Sequence, residues 1–170
     1  MNPMKKIRIE KITLNIGSGA DQNKLKKGMK LIENLTGKKP VKTLAKKRIP
    51  TWNTRPGLPV GCKLTLRGKK AEKLIKRLLS ARENRITESC FDENGNVSFG
   101  VPEYIEIPEM KYDPEIGIMG LQISVTLERP GFRIKRRKNK KKKIGKSHKI
   151  SKNESIDFFK EKFNIIMEEK

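Results

Sequence analysis

Residues Leu121 to Glu128 alternate without interruption: Leu121, Ile123, Val125 and Leu127 are apolar, whereas Gln122, Ser124, Thr126 and Glu128 are polar. A period of two buries one face and wets the other. Such a strand belongs to a sheet with one covered and one open side, not to a parallel sheet covered on both. The same frame sets Ile12, Leu14 and Ile16 against Lys11, Thr13 and Asn15, and Leu64 and Leu66 against Lys63, Thr65 and Arg67. Ile7 and Ile9 fall in the opposite frame, which predicts a bulge near Glu10.

Between these strands the apolar period changes. Leu25, Met29, Ile32 and Leu35 recur at helical spacing over Asn23 to Thr36, with Asp21 or Asn23 as the cap and Gly37 as the stop. Ala71, Leu74, Ile75, Leu78 and Leu79 form a second stripe. Val41 to Ala45 reads as a short strand, and Lys46 to Gly61 as a long loop of the kind that is either functional or disordered. Asn94-Gly95 signals a hairpin, with extended segments expected around Phe99 and over Tyr104 to Ile107. Ser151 and Glu154 form a capping box that opens a terminal helix carrying Ile156, Phe159 and Phe163 on one side. No internal repeat interrupts this order.

The expected fold is α+β: a two-layer sandwich of a mainly antiparallel sheet, with helices on one face and the other face exposed. The α+β domain is expected over residues 1–132, a polybasic extension over 133–150, and a capped C-terminal helix packing back on the domain over 151–170.

Charge narrows the partner. The chain has 170 residues and a formal charge of +22. Residues 1–81 hold 22 Lys and Arg against 4 acids, residues 82–128 hold 3 against 10, and residues 133–149 hold 11 with no acid. Self-repulsion on this scale is relieved by a polyanion, and nucleic acid leads. An anionic membrane is the competing surface, but no segment pairs a basic face with a Trp, Phe and Leu face. The acidic middle is the candidate surface for protein neighbours. No apolar stretch suits a signal peptide or a membrane span, and Cys62 and Cys90 make no disulfide framework, so a soluble protein of a reducing compartment is expected.

Catalytic motifs fail on inspection. Gly145-Lys146-Ser147 ends like a phosphate-binding loop, but Lys140 stands where its first glycine belongs. Gly17-Ser18-Gly19 begins like a dinucleotide turn, but Gln22 occupies the third glycine position. His148, the only histidine, has no cysteine near it, and the carboxylates from Glu103 to Glu115 are broken up by Pro102, Pro108 and Pro114. No enzyme, cofactor, metal or small-molecule substrate is expected.

What remains is binding chemistry. Lys11, Thr13, Asn15, Lys63, Thr65, Arg67, Gln122, Ser124 and Thr126 supply cations, hydroxyls and amides to the open face, the groups that meet phosphates, ribose hydroxyls and base edges. Outward positions on any half-buried sheet are also polar, so both readings stand. In the long loop, Lys46, Lys47 and Arg48 precede Trp52, and Arg55 follows it. Trp52 either stacks on an unpaired base or covers the edge of the core. Aromatic residues are only 5% of the chain, too few for a sheet-wide stacking platform.

Four stretches carry a resemblance. Ile9-Glu10-Lys11-Ile12-Thr13-Leu14-Asn15-Ile16-Gly17, then Leu35-Thr36-Gly37-Lys38-Lys39-Pro40-Val41 with Ala45-Lys46-Lys47, then Leu58-Pro59-Val60-Gly61-Cys62-Lys63-Leu64-Thr65-Leu66-Arg67, and finally Phe91-Asp92 with Gly95-Asn96, Gly100 and Ile107-Pro108-Glu109 closely resemble the large-subunit ribosomal protein L-five family over residues 7–132. The basic extension and terminal helix are similar to the archaeal and eukaryotic branch.

The resemblance implies a cytoplasmic protein of the large ribosomal subunit that binds 5S rRNA and helps anchor it in the central protuberance. By position, Asn15, Lys38, Trp52 and Thr65 would touch 5S rRNA. Lys11, Thr13, Lys46, Lys47, Arg48, Lys63, Arg67, Arg133, Arg136 and Arg137 complete the expected rRNA-binding set. The loop from Asn53 through Thr54, Arg55, Pro56, Gly57 and Leu58 would reach P-site tRNA. Implied partners also include large-subunit rRNA, neighbouring ribosomal proteins of the central protuberance and a small-subunit head protein.

Overall fold

The computed structural model describes residues 2–168. The elements in chain order are β1 (Arg8–Gly17), α1 (Gln22–Thr36), β2 (Val41–Leu44), β3 (Pro59–Leu66), α2 (Lys69–Ser80), β4 (Arg85–Thr87), β5 (Val97–Val101), β6 (Leu121–Glu128), α3 (Lys152–Phe163) and β7 (Ile166–Glu168). The fold is α+β, with a mainly antiparallel five-stranded sheet in the order β2-β3-β1-β6-β5 and a separate parallel pair, β4-β7. The chain divides into two compact units. Unit 1 comprises Met1–Ile12, Arg67–Phe99 and Ser124–Lys170, and unit 2 comprises Thr13–Leu66 and Gly100–Ile123.

In unit 2 the alternation of β1 and β3 does what its period requires. Leu14, Ile16, Cys62, Leu64 and Leu66 are buried, while Lys63 and Thr65 are exposed and Thr13 and Asn15 half-exposed. Helix α1 starts at Asp21, whose carboxylate accepts from the N–H groups of Asn23 and Lys24, and stops at Gly37 in the left-handed region (φ 67°). Its buried stripe is Leu25, Gly28, Leu31, Ile32 and Leu35, with Met29 only half-buried. The stripe turns toward Gly28 because the sheet comes close there: a Cβ on Gly28 would lie 3.1 Å from Ile16 Cγ2 and 3.4 Å from Cys62 Sγ.

Strand β3 begins at Pro59, three residues before the alternation of Cys62 to Arg67. Its start is set by backbone approach. A Cβ on Gly61 would stand 2.6 Å from the Ile16 carbonyl oxygen and 3.0 Å from Thr43 Oγ1, so only glycine fits between β1 and β2. The expected extended segment over Tyr104 to Ile107 is instead a turn of 3-10 helix, Tyr104–Glu106. Tyr104 and Ile107, three apart, are both buried, which is the period of that turn, and Tyr104 Oη accepts from the Asp113 N–H at 2.9 Å.

In unit 1 the stripe of α2 is as expected: Ala71, Leu74, Ile75, Leu78 and Leu79. The capping box at Ser151 and Glu154 is formed, and Phe159 packs edge-on against Phe91 at 5.9 Å and tilted against Phe163 at 5.3 Å. Buried Ser155 donates to the Gly95 carbonyl at 2.9 Å. The turn there is tied by Asp92, which accepts from the Asn94 and Asn96 N–H groups, and Phe91 bridges Val97 as the hairpin signal implied. The terminal helix is shorter than 151–170. It ends at Asn164, whose φ of 51° breaks the helical run, and Ile166–Glu168 then pairs in parallel with Arg85–Thr87. Residues 169–170 of that expectation lie outside the described residues. His148 is a structural group: its Nε2 bonds the Pro130 carbonyl at 2.9 Å and its ring meets Phe132 edge-on.

Candidate nucleic-acid interface

The long loop is ordered, because it extends the β2–β3 hairpin by backbone pairing. Ala45 N–H donates to Leu58 at 2.8 Å, Gly57 N–H to Ala45 at 3.0 Å, and Ile49 and Thr54 exchange two bonds at 3.2 Å. Pro50–Trp52 forms a 3-10 turn at the apex, closed by Asn53 in the left-handed region. Trp52 stands out from this apex with 68% of its surface exposed, so it does not cover the core. Lys46, Lys47 and Arg48 are exposed on the rising limb and Arg55 on the falling one.

Of the loop residues expected to reach tRNA, Asn53, Arg55, Pro56 and Gly57 are exposed and Leu58 is half-buried. Thr54 is buried at 7% exposure, because its backbone bridge to Ile49 turns the side chain inward. Lys38 is exposed just beyond the α1 stop. On the open side of the strands, Asn15 Nδ2 donates to Gln122 Oε1 at 3.1 Å, which presents two amides side by side. Gln122 is exposed, in the outward frame that the β6 alternation predicts.

Among the described residues, Lys38, Lys46, Lys47, Arg48, Arg55 and Lys63 of unit 2 have no carboxylate within ion-pair distance. An uncompensated cation set beside hydroxyls, amides and one projecting indole suits a phosphate backbone with an unpaired base. Elsewhere in the same unit Lys30 is spoken for. Its ammonium bonds Glu115 and lies 2.9 Å from Asp113, which raises its pKa and, with the Glu115 N–H, holds the Asp113 carboxyl below the ordinary range.

The expected cations of unit 1 are placed differently. Burial changes frame between Ile9 and Ile12, where the bulge was expected, and Glu10 there is only 7% exposed. Its carboxylate accepts from Arg67 at 3.2 Å and from Arg136, with Lys11 at 4.0 Å. Glu128, equally buried, takes Arg136 at 2.7 Å and Arg8 at 2.8 Å. Arg67 and Arg136 are therefore half committed to the protein itself. Sequence reasoning missed this clamp, since an outward glutamate on a strand reads as solvated. Arg133 and Arg137 are exposed, and Arg137 Nε donates to the Lys140 carbonyl at 2.9 Å.

Among the described residues no cluster of three or more His, Cys, Asp or Glu could hold a metal ion, and no helix is long and apolar enough to cross a membrane.

Two family models match the chain in succession: "Ribosomal protein L5" over residues 2–55, and the model for the C-terminus of the same ribosomal family over residues 59–163. Among curated relatives, the large ribosomal subunit protein uL5 of Sulfurisphaera tokodaii is 50% identical over 170 residues, covering 99% of this chain and 96% of its own. The protein of the same name from Nanoarchaeum equitans is 53% identical, covering 96% of this chain and 97% of its own, and that of Methanosphaera stadtmanae is 49% identical, covering 99% and 100%. With both halves matched and near-full-length identity of about one residue in two, the chain belongs to the ribosomal protein L5 family, a structural component of the large ribosomal subunit and not an enzyme.

Proposed function

We propose that this chain binds 5S rRNA through unit 2 and helps anchor it in the central protuberance. The single observation that carries the reading is Trp52, 68% exposed at the apex of an ordered hairpin whose limbs bear Lys46, Lys47, Arg48 and Arg55 without a carboxylate partner among the described residues. A large indole held in water by a rigid neck has no packing role, and an unpaired base is the surface that removes it from water. The division of labour follows. Lysines and arginines supply affinity through counterion release, while Asn15, Thr65 and Trp52 choose the site.

The falling limb, through Asn53, Arg55, Pro56 and Gly57, is proposed to meet P-site tRNA, with Thr54 serving as the neck and not as a contact. Lys38 extends the 5S surface. The basic segment of unit 1, with Arg133 and Arg137, takes large-subunit rRNA, and the carboxylate-rich stretch of residues 82–128 faces protein neighbours, including one from the small-subunit head.

The test measures affinity for 5S rRNA and for a scrambled RNA of equal length across a salt series. Trp52→Ala and Asn15→Ala each weaken 5S binding by about 1–2 kcal/mol and leave the salt slope intact. Equal losses on the scrambled RNA would overturn the proposal and favour a free-standing RNA chaperone.

A further inference from the structure

The basic segment of unit 1 is not an open tail. Its base is closed by Arg129, 4% exposed, which donates to the Lys149 carbonyl at 3.0 Å and to Glu154 at 2.6 Å, and by the bond from His148 to the Pro130 carbonyl. Its middle is pinned by Arg136 on Glu10 and Glu128. Backbone bonds from Arg137 to Arg133 at 2.9 Å and from Lys142 to Ile134 at 3.4 Å fold the intervening turn. Beside that turn lies an open hollow of about 550 Å³, lined by the exposed residues Gly131, Arg133, Ile134, Arg137, Lys138 and Asn139. The volume falls among those that seat small organic ligands.

The lining joins three chemistries. Arg133, Arg137 and Lys138 carry charge that no carboxylate of residues 129–153 offsets, since that stretch contains none. Ile134, 39% exposed, offers an apolar floor, and Asn139 an amide with both a donor and an acceptor. A bare anion would use the first alone. A nucleotide uses all three: phosphate on the guanidiniums, the flat base on isoleucine, and its edge on the amide.

We propose that this hollow seats one unpaired nucleotide of rRNA, with Arg133 and Arg137 on its phosphate and Ile134 against its base. The proposal rests on the RNA-binding reading above and gives the basic segment a defined ligand.

The experiment titrates the full chain at low ionic strength with adenosine 5′-monophosphate, with inorganic phosphate, and with a short unpaired oligoadenylate lacking terminal phosphates, following the amides of Gly131, Ile134 and Asn139. Monophosphate and oligonucleotide both shift these amides, and inorganic phosphate binds at least about tenfold more weakly. Replacing both arginines, Arg133→Ala with Arg137→Ala, lowers affinity for both nucleic-acid probes by about tenfold or more. Ile134→Ala weakens both but leaves inorganic phosphate unchanged. Equal binding of phosphate and nucleotide, with Ile134→Ala silent, would reduce the site to an anion patch and overturn the proposal. Binding of the monophosphate alone would make it a free-nucleotide site and overturn the rRNA assignment. Unmoved amides would remove the pocket altogether. If 5S rRNA selectivity persists through any of these, only the pocket falls; if selectivity fails while the pocket binds, the 5S reading falls instead.

Discussion

The Glu10–Glu128 clamp of unit 1 and the β2–β3 hairpin of unit 2 treat their cations in opposite ways. In unit 1, Arg8, Arg67 and Arg136 converge on the buried carboxylates of Glu10 and Glu128, and Arg129 is buried against Glu154. In unit 2, the lysines and arginines of the β2–β3 hairpin stand in solvent, with no carboxylate among the described residues within ion-pair distance. A count of charges along the chain treats these groups alike. What separates them is whether a desolvated acid lies within reach, for that acid turns a mobile cation into part of the scaffold and removes it from the pool available to a polyanion.

The sharpest way to break this contrast is Glu10→Ala. It strips Arg67 and Arg136 of a carboxylate that is only 4% exposed, while those arginines keep 57% and 40% exposure and regain water. The expected loss in urea unfolding is about 2–3 kcal/mol, below the full cost of breaking a buried pair for that reason. A loss under about 0.5 kcal/mol would mean that the clamp adds nothing to folding.

Lys47→Ala in unit 2 is the counterpart. Stability should stay within about 0.5 kcal/mol of the parent, and the logarithmic salt slope for 5S rRNA should fall by about 0.7–0.9. Arg136→Ala should do the reverse, lowering stability and leaving the slope in place. If both variants change the slope alike, the distinction between committed and available cations is lost.

Acid sharpens the comparison more gently. The Ser151 N–H, and then Arg129, hold the Glu154 carboxyl below the ordinary glutamate range, despite the opposing effect of burial. A carboxyl depressed in the folded state contributes stability that is complete above its unfolded value, about 4, and is lost as the pH falls through the folded value. Glu154 is 44% exposed, so the effect amounts to a few tenths of a kcal/mol. It should appear as faster amide exchange at Ser155 below pH ~4, with the bonds around Lys30 and Asp113 loosening in the same direction. The smallest effect concerns the thiols. Burial pushes the Cys62 thiol up to about 11. At pH ~8 an alkylating reagent should therefore modify Cys90, which is half-exposed, and spare Cys62 until the chain unfolds, as mass spectrometry would register.

The fold was largely legible because its period signals are local. The frame of Leu121 to Glu128, the stripe from Ala71 to Leu79 and the capping box at Ser151 each need only neighbours in sequence to be read. What escaped was set by distant partners. Glu10 and Arg136 lie 126 positions apart, and nothing in the periodicity of β1 says that a glutamate there will be buried. The 3-10 turn at Tyr104 depends on a hydroxyl bond to Asp113, and the end of α3 on a strand that Arg85–Thr87 offers. In the candidate site, the outward placement of Asn15 and Thr65 was readable from alternation, whereas the basic setting of Trp52 left open whether the indole is exposed or covers the core. The inward turn of Thr54 was not, because its cause is a bridge to Ile49 that only the folded hairpin makes.

That bridge also bears on how the tip can change over evolutionary time. Pro50, Thr51, Trp52 and Asn53 sit above a pair of reciprocal backbone bonds that do not depend on which side chains they carry. Thr51 and Trp52 form an exchangeable pair: sequence drift there alters what the protein touches, while Pro50 and Asn53, the latter at φ 49°, keep the turn above the sheet.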